Sequence, residues 1–139
     1  MKKNKNIIIV LVLLLIFISG CSIYDCGTDI NCFEEKAKSC SSAKVNIIEE
    51  GNNIRLTSRG ILFGKCKFSL KIEQIGENLQ QQNPGISKVL IGKTMNCEIP
   101  LEELNINLDN YLNDIANLKD GEYERYCSGP IKDILNAIS

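Results

Sequence analysis

The sequence predicts an α+β domain: an N-terminal helix, a four-strand antiparallel meander and two C-terminal helices, stapled by disulfides. Three observations predict it. Apolar residues recur at helical spacing before and after a central block and alternate with polar ones inside it. The links between the alternating runs are short, which favours neighbouring antiparallel strands. Six cysteines follow an export-type leader, an even number in a small chain, and read as a disulfide framework.

The 139-residue chain opens on "MKKNKN", basic through Lys2, Lys3 and Lys5. "IIIVLVLLLIFI" follows, from Ile7 to Ile18, with no polar side-chain atom. Its 12 residues suit a signal-peptide apolar core, which takes roughly 7–15. A membrane-spanning helix needs about 20. The run ends in "ISGC", Ile18 to Cys21. That motif resembles the lipobox of prokaryotic lipoproteins: an aliphatic residue, two small ones and a cysteine. The resemblance implies cleavage after Gly20 and diacylglycerol on the Cys21 sulfur. It also implies a protein anchored outside the cytoplasm, at the cell membrane or cell surface. Residues 1–20 are then a signal peptide, 21–27 a lipidated tether and 28–139 a single α+β domain.

"TDINCFEEKAKSC" reads as the first helix, capped by Thr28 or Asp29, with Ile30, Phe33, Ala37 and Cys40 along one face. Four strand candidates follow: "AKVNIIE", "NIRLTSRGILF" after the turn-like "EGNN", "KCKFSLKIEQI" and "SKVLIGKTMNCEI". The third alternates most clearly, with Cys66, Phe68, Leu70 and Ile72 set against Lys65, Lys67, Ser69 and Lys71. The fourth holds Gly92 as a bulge candidate and stops at Pro100. "GENLQQQNPG" is left as the longest connection and a contact loop. "LDNYLNDIANLK" predicts a helix ended by Gly121. "SGPIKDILNAIS" predicts another, with Ser128 or Gly129 at its cap and an apolar stripe of Ile131, Ile134, Leu135 and Ile138.

One helix before a four-strand meander resembles the cystatin-like arrangement in topology. "QQNPG", Gln81 to Gly85, echoes the Gln-x-Val-x-Gly loop of those inhibitors, with Asn83 in place of the valine. The echo falls between the third and fourth strands, so no function is carried across on it. The mature chain, with its spaced cysteines and terminal "YCSGP", also resembles small exported cysteine-containing proteins of archaea. That resemblance brings no known activity.

Cys26, Cys32, Cys40, Cys66, Cys97 and Cys127 have three uses open to them. Zinc sites favour close pairs such as C-x2–4-C, but the closest spacing here is C-x5-C and the chain has no histidine. No metal and no cofactor is therefore expected. A redox centre would want C-x-x-C, which is absent. Disulfides remain, and geometry narrows their pairing. Cys66 and Cys97 occupy the apolar phase of strands expected to be neighbours, so Cys66–Cys97 is the expected cross-strand bond. Cys32 and Cys40 sit about 12 Å apart along one helix, beyond the roughly 7 Å allowed between disulfide Cα atoms. Cys26–Cys32 folds easily over the helix start. Cys40–Cys127 is left.

Removal of the leader leaves 13 basic and 17 acidic residues, a net −4 that argues against general nucleic-acid binding. The charge is uneven. Residues 51–100 hold seven basic and three acidic residues, and residues 101–139 hold three and eight. By strand phase, Arg55, Arg59, Lys65, Lys67 and Lys71 share the solvent face of the sheet. Such a face is open to an anionic partner, or it packs near the acidic helices. No catalytic residue is assigned. General-base histidine is missing, Glu102 and Glu103 point apart as chain neighbours, Glu122 and Glu124 sit in a loop, and Ser128 reads as a cap. The expectation is a lipid-anchored, extracytoplasmic binding or structural domain. Its partners are the membrane, through Cys21, and an envelope protein or anionic polymer. A small surface enzyme inhibitor is one form of this reading. A thiol-disulfide exchange protein using Cys26 and Cys32 is the alternative from another class.

Overall fold

The computed structural model describes residues 22–82, 84–104 and 125–138. The leader, the lipobox cysteine and the expected helix over residues 108–121 lie outside them. Among the described residues the elements run β1 (Tyr24–Asp25), α1 (Ile30–Lys38), β2 (Ala43–Glu49), β3 (Asn52–Leu62) and β4 (Lys65–Gln74). Then come α2 (Glu77–Gln82), α3 (Pro84–Leu90), β5 (Thr94–Pro100), helical residues 101–104 (α4), β6 (Cys127–Ser128) and α5 (Pro130–Ile138). No described helix is long and apolar enough to cross a membrane.

Six strands form one mixed sheet in the order β1-β2-β3-β4-β5-β6. β1 runs parallel to β2, and every other pair is antiparallel. This overturns the expected four-strand antiparallel meander behind an N-terminal helix. A strand precedes α1, and a strand flanks the sheet at each edge. Both edge strands are two residues long, too short for any periodicity to register. The cystatin-like topology falls with the strand count.

The 76–85 segment is not a loop. Glu77–Gln82 and Pro84–Leu90 are helical, and β5 begins only at Thr94. Ser87 and Leu90 point inward, with Ile86 packed on the core beside them, while Val89 and Ile91 are exposed. The run "SKVLIGK" imitates strand alternation, but its inward residues recur three and four apart.

Side-chain alternation builds the core. Val45, Leu56, Leu70 and Met95 lie in register across four strands and are all buried. The next row is Ala43, Ser58, Phe68, Cys97 and Cys127. α1 covers this face from β2 through Phe33 and Ala37, and α5 covers it from β5 through Ile131. Each large aliphatic or aromatic side chain buried here contributes about 1.5–3 kcal/mol relative to exposure.

Local signals fix the ends of α1. The Asp29 carboxylate accepts from the Cys32 N–H at 3.1 Å, an N-cap. At the other end Cys40 N–H donates to Ala37 O at 2.8 Å and Ser41 N–H to Lys36 O at 2.9 Å. Those two bonds make a Schellman motif, with Cys40 at φ +50 in the position glycine usually takes. Both tight hairpins use two-residue loops with positive φ at each position: Glu50-Gly51 and Phe63-Gly64. These are type I′ turns, whose twist suits the flanking strands.

Three disulfides are present: Cys26–Cys32, Cys40–Cys66 and Cys97–Cys127. The expected bonds Cys40–Cys127 and Cys66–Cys97 are therefore corrected. Cys66 and Cys97 do lie on the buried face of adjacent strands, but Cys66 pairs in register with Ile99 and Cys97 with Phe68. A two-residue offset puts a diagonal of about 7–8 Å between them, past disulfide reach. Cys97 instead faces Cys127 directly across β5 and β6, with 4.0 Å between Cα atoms. Cys66 is met from the helical layer by Cys40, at 5.7 Å.

Candidate functional site

The face of the sheet turned away from the core is polar, and the strand register orders it in rows. Lys44, Thr57, Ser69 and Asn96 form one row, and Asn46, Arg55, Lys71 and Thr94 the next. Lys67 stands opposite Glu98 and Lys65 opposite Pro100. Arg59 lies in the irregular stretch between Ser58 and Ile61, where the β3–β4 register shifts. The five cations expected on this face, Arg55, Arg59, Lys65, Lys67 and Lys71, thus occupy β3 and β4, the two central strands. Sequence phase had not singled out Lys44, although it alternates with Ala43 and Val45 in the same way.

A hollow of about 440 Å³ opens on this face. Thr57, Ser69 and Thr94 line it with hydroxyls, while Lys44, Arg55, Arg59 and Lys71 ring it with cations. Ile23, just before β1, completes the edge. Lys65 and Lys67 lie outside the hollow, towards the far end of β5.

The cations are partly matched. Glu73 Oε1 lies 3.0 Å from Arg55 Nη1 and 3.2 Å from Lys71 Nζ. Arg55 Nε also donates to Asn46 Oδ1 at 3.2 Å. Glu98 receives Lys67 at 3.0 Å and Lys65 at 3.9 Å, and Asp25 receives Lys44 at 3.0 Å. Arg59 has no carboxylate partner among the described residues. Among the described residues, six cations against three carboxylates leave this face at +3. The Gly27 N–H, and then the Lys44 ammonium, hold the Asp25 carboxyl below the usual carboxylate range. Lys67, and more weakly Lys65, does the same for Glu98. Both acids therefore stay charged at neutral pH, and the surplus of three positive charges stands.

Hydroxyls on the floor and guanidinium and ammonium groups at the rim can hold a multiply charged oxyanion. The other candidates have structural work. Glu103 accepts hydrogen bonds from Arg125, at 3.0 Å, and from the Tyr126 hydroxyl. That ties α4 to the segment entering β6. Ser128 lies in β6, and the first helical bond of α5 runs from Asp133 N–H to Gly129 O at 3.2 Å, so Gly129 stands at the cap. Glu122 and Glu124 lie outside the described residues, as does Cys21. All six described cysteines are bonded, so none offers a free thiolate.

The chain matches no protein-family model, no curated protein and no solved structure.

Proposed function

We propose that this is a lipid-anchored, extracytoplasmic binding domain whose open sheet face holds an anionic polymer of the cell envelope. The observation that carries the reading is the +3 surplus among the described residues of the face on which the hydroxyl-floored hollow opens. The basic, apolar leader and the "ISGC" motif support the anchor. Six bonded cysteines support an oxidising compartment. The polymer reading follows from the site's shape: the cations spread along two strands and the hollow is open, which suits a repeating anion better than a single enclosed ligand.

Polyphosphate is the probe. The processed protein retains it at low ionic strength and releases it as salt rises, because the Debye length falls from about 30 Å at 0.01 M to about 3 Å at 1 M. Replacing Arg55, Arg59 and Lys71 together by Gln removes retention and leaves the circular dichroism spectrum unchanged. Retention that ignores both salt and the triple replacement overturns the proposal.

A further inference from the structure

We infer that the β3–β4 hairpin tip, Ile61-Leu62-Phe63, seats in the headgroup region of an anionic bilayer beside the lipid on Cys21, and so sets the domain upright on the membrane. The inference rests on the lipid-anchor reading for its geometry, and its test separates the two.

Three observations meet at one end of the sheet. The first is register. Tyr24 pairs with Ala43, Ala43 with Ser58, and Ser58 with Phe68. The chain before Tyr24 and the chain beyond Ser58 therefore leave the sheet at the same end. Cys21 precedes Tyr24 by three residues, a reach of about 10 Å. Lys65 lies three residues from Phe68, so the hairpin tip stands about 10 Å beyond the same row. A lipid on Cys21 is therefore within chain reach of a membrane plane that touches the tip.

The second is exposure. Ile61, Leu62 and Phe63 are 57%, 44% and 93% exposed, three apolar residues in succession at a hairpin tip. Ile23 and Tyr24 are exposed at the same end. Phe63 breaks a local rule as well. It sits at φ +51 in a type I′ turn, where Asn, Asp or Gly is at ease and a bulky aromatic is not. Its ring gains no packing in return. A costly residue without structural benefit points to a function carried by the residue itself.

The third is charge. From Ile54 to Ile72 the hairpin holds five cations and no carboxylate. Arg59 and Lys65 flank the apolar tip, where they meet phosphate oxygens once the tip is in the interface. That complementarity selects an anionic bilayer as occupant over an apolar patch on another protein.

The chain has no tryptophan, so Phe63→Trp supplies a single tryptophan, excited selectively at wavelengths beyond tyrosine absorption. Ile48→Trp, exposed at the opposite end of β2, is the control. Each full-chain variant is processed in cells and reconstituted in vesicles of phosphatidylglycerol and phosphatidylcholine with brominated acyl chains. Labelled fatty acid reads the anchor in the same preparation. Emission from Phe63→Trp shifts to the blue and is quenched by bromine, and emission from Ile48→Trp does neither. A quenched tip fluorophore in protein that carries no fatty acid still supports the tip while removing the anchor. Lipidated protein in which the tip fluorophore behaves like the control overturns the inference and leaves the anchor standing. Blue-shifted but unquenched emission from Phe63→Trp also overturns it, because the tip is then covered by protein. Phe63→Asn separates binding from folding: it unfolds at a higher temperature and loses contact with vesicles when the lipid is absent. A Phe63→Asn variant that melts lower assigns the ring a packing role and overturns the inference.

Discussion

Arg55 and Lys71 face one another across β3 and β4, and both converge on the same oxygen of Glu73. The Glu73 carboxylate, with its side chain 23% exposed, is the brake on the most basic part of the open face. Glu73→Gln releases both cations. Polyanion retention then persists to higher salt, while stability falls by about 1 kcal/mol or less, as for a half-exposed ion pair. Retention curves and denaturant midpoints measured on the same variant check both signs. Weaker retention would mean that Glu73 organises the site instead of restraining it.

The disulfide pairing is read directly by trypsin without reduction. Cutting after Lys38, Lys44, Lys65, Lys67, Lys93, Lys119, Arg125 and Lys132 isolates the relevant cysteines. The fragment 39–44 stays joined to 66–67, and 94–119 stays joined to 126–132. Replacing Cys40 and Cys66 together by Ser opens a loop with sequence separation 26 and costs about 3–4 kcal/mol in the chain-entropy account. A joined pair of 66–67 and 94–119 would contradict the observed register.

Gly76 is a point of forced proximity. A Cβ there would stand 2.3 Å from Glu50 O, and Gly76 N–H donates to Asn52 Oδ1 at 2.8 Å. The β2–β3 turn is thereby clamped onto the exit of β4. Gly76→Ala must push backbone aside, at about 1–3 kcal/mol by the usual cost of overpacking. Thermal unfolding measures the loss, and an unchanged midpoint would mean that Gly76 does not touch the β2–β3 turn.

Asp25 and Glu98 each add an acid-dependent contribution to stability. Both carboxyls are held below their ordinary range in the folded chain. Their contribution is complete above the unfolded carboxylate pKa of about 4 and is lost as pH falls through the lowered values. Melting temperature therefore stays level from mildly acidic to neutral pH and drops in stronger acid. Lys67→Met frees Glu98 and makes that drop shallower. An identical acid profile in the variant would remove Glu98 from the account.

Much of the sheet was legible because a period of two is strong wherever one face is buried. Cys66, Phe68, Leu70 and Ile72 alternate with Lys65, Lys67, Ser69 and Lys71, and only one of those sets can enter a core. What stayed hidden is what alternation does not encode. Register is one such quantity: two residues of offset turned Cys97 from Cys66 to Cys127. Elements shorter than a period are another. Tyr24–Asp25 and Cys127–Ser128 are strands because a neighbour and a disulfide hold them there, and the segment expected as a tether contains the first of them. The α3 helix was masked by Val89 and Ile91, which carry strand-like composition but face solvent. Lys44 and the carboxylates Glu73 and Glu98 belong to the site through cross-strand neighbours, which no single stretch of chain displays.

Taken in chain order, the bonded cysteines pair first with second, third with fourth and fifth with sixth. No bond crosses or encloses another. In the exported protein proposed above, an amino end that crosses the membrane first would present its thiols to oxidant in that same sequence, so each pair would be complete before the next begins. Bonds formed on such emergence would already be native, so under that proposal the final connectivity requires no shuffling by an isomerase. On that proposal the sequential bonds Cys26–Cys32, Cys40–Cys66 and Cys97–Cys127 would be a timetable for maturation as well as a set of staples.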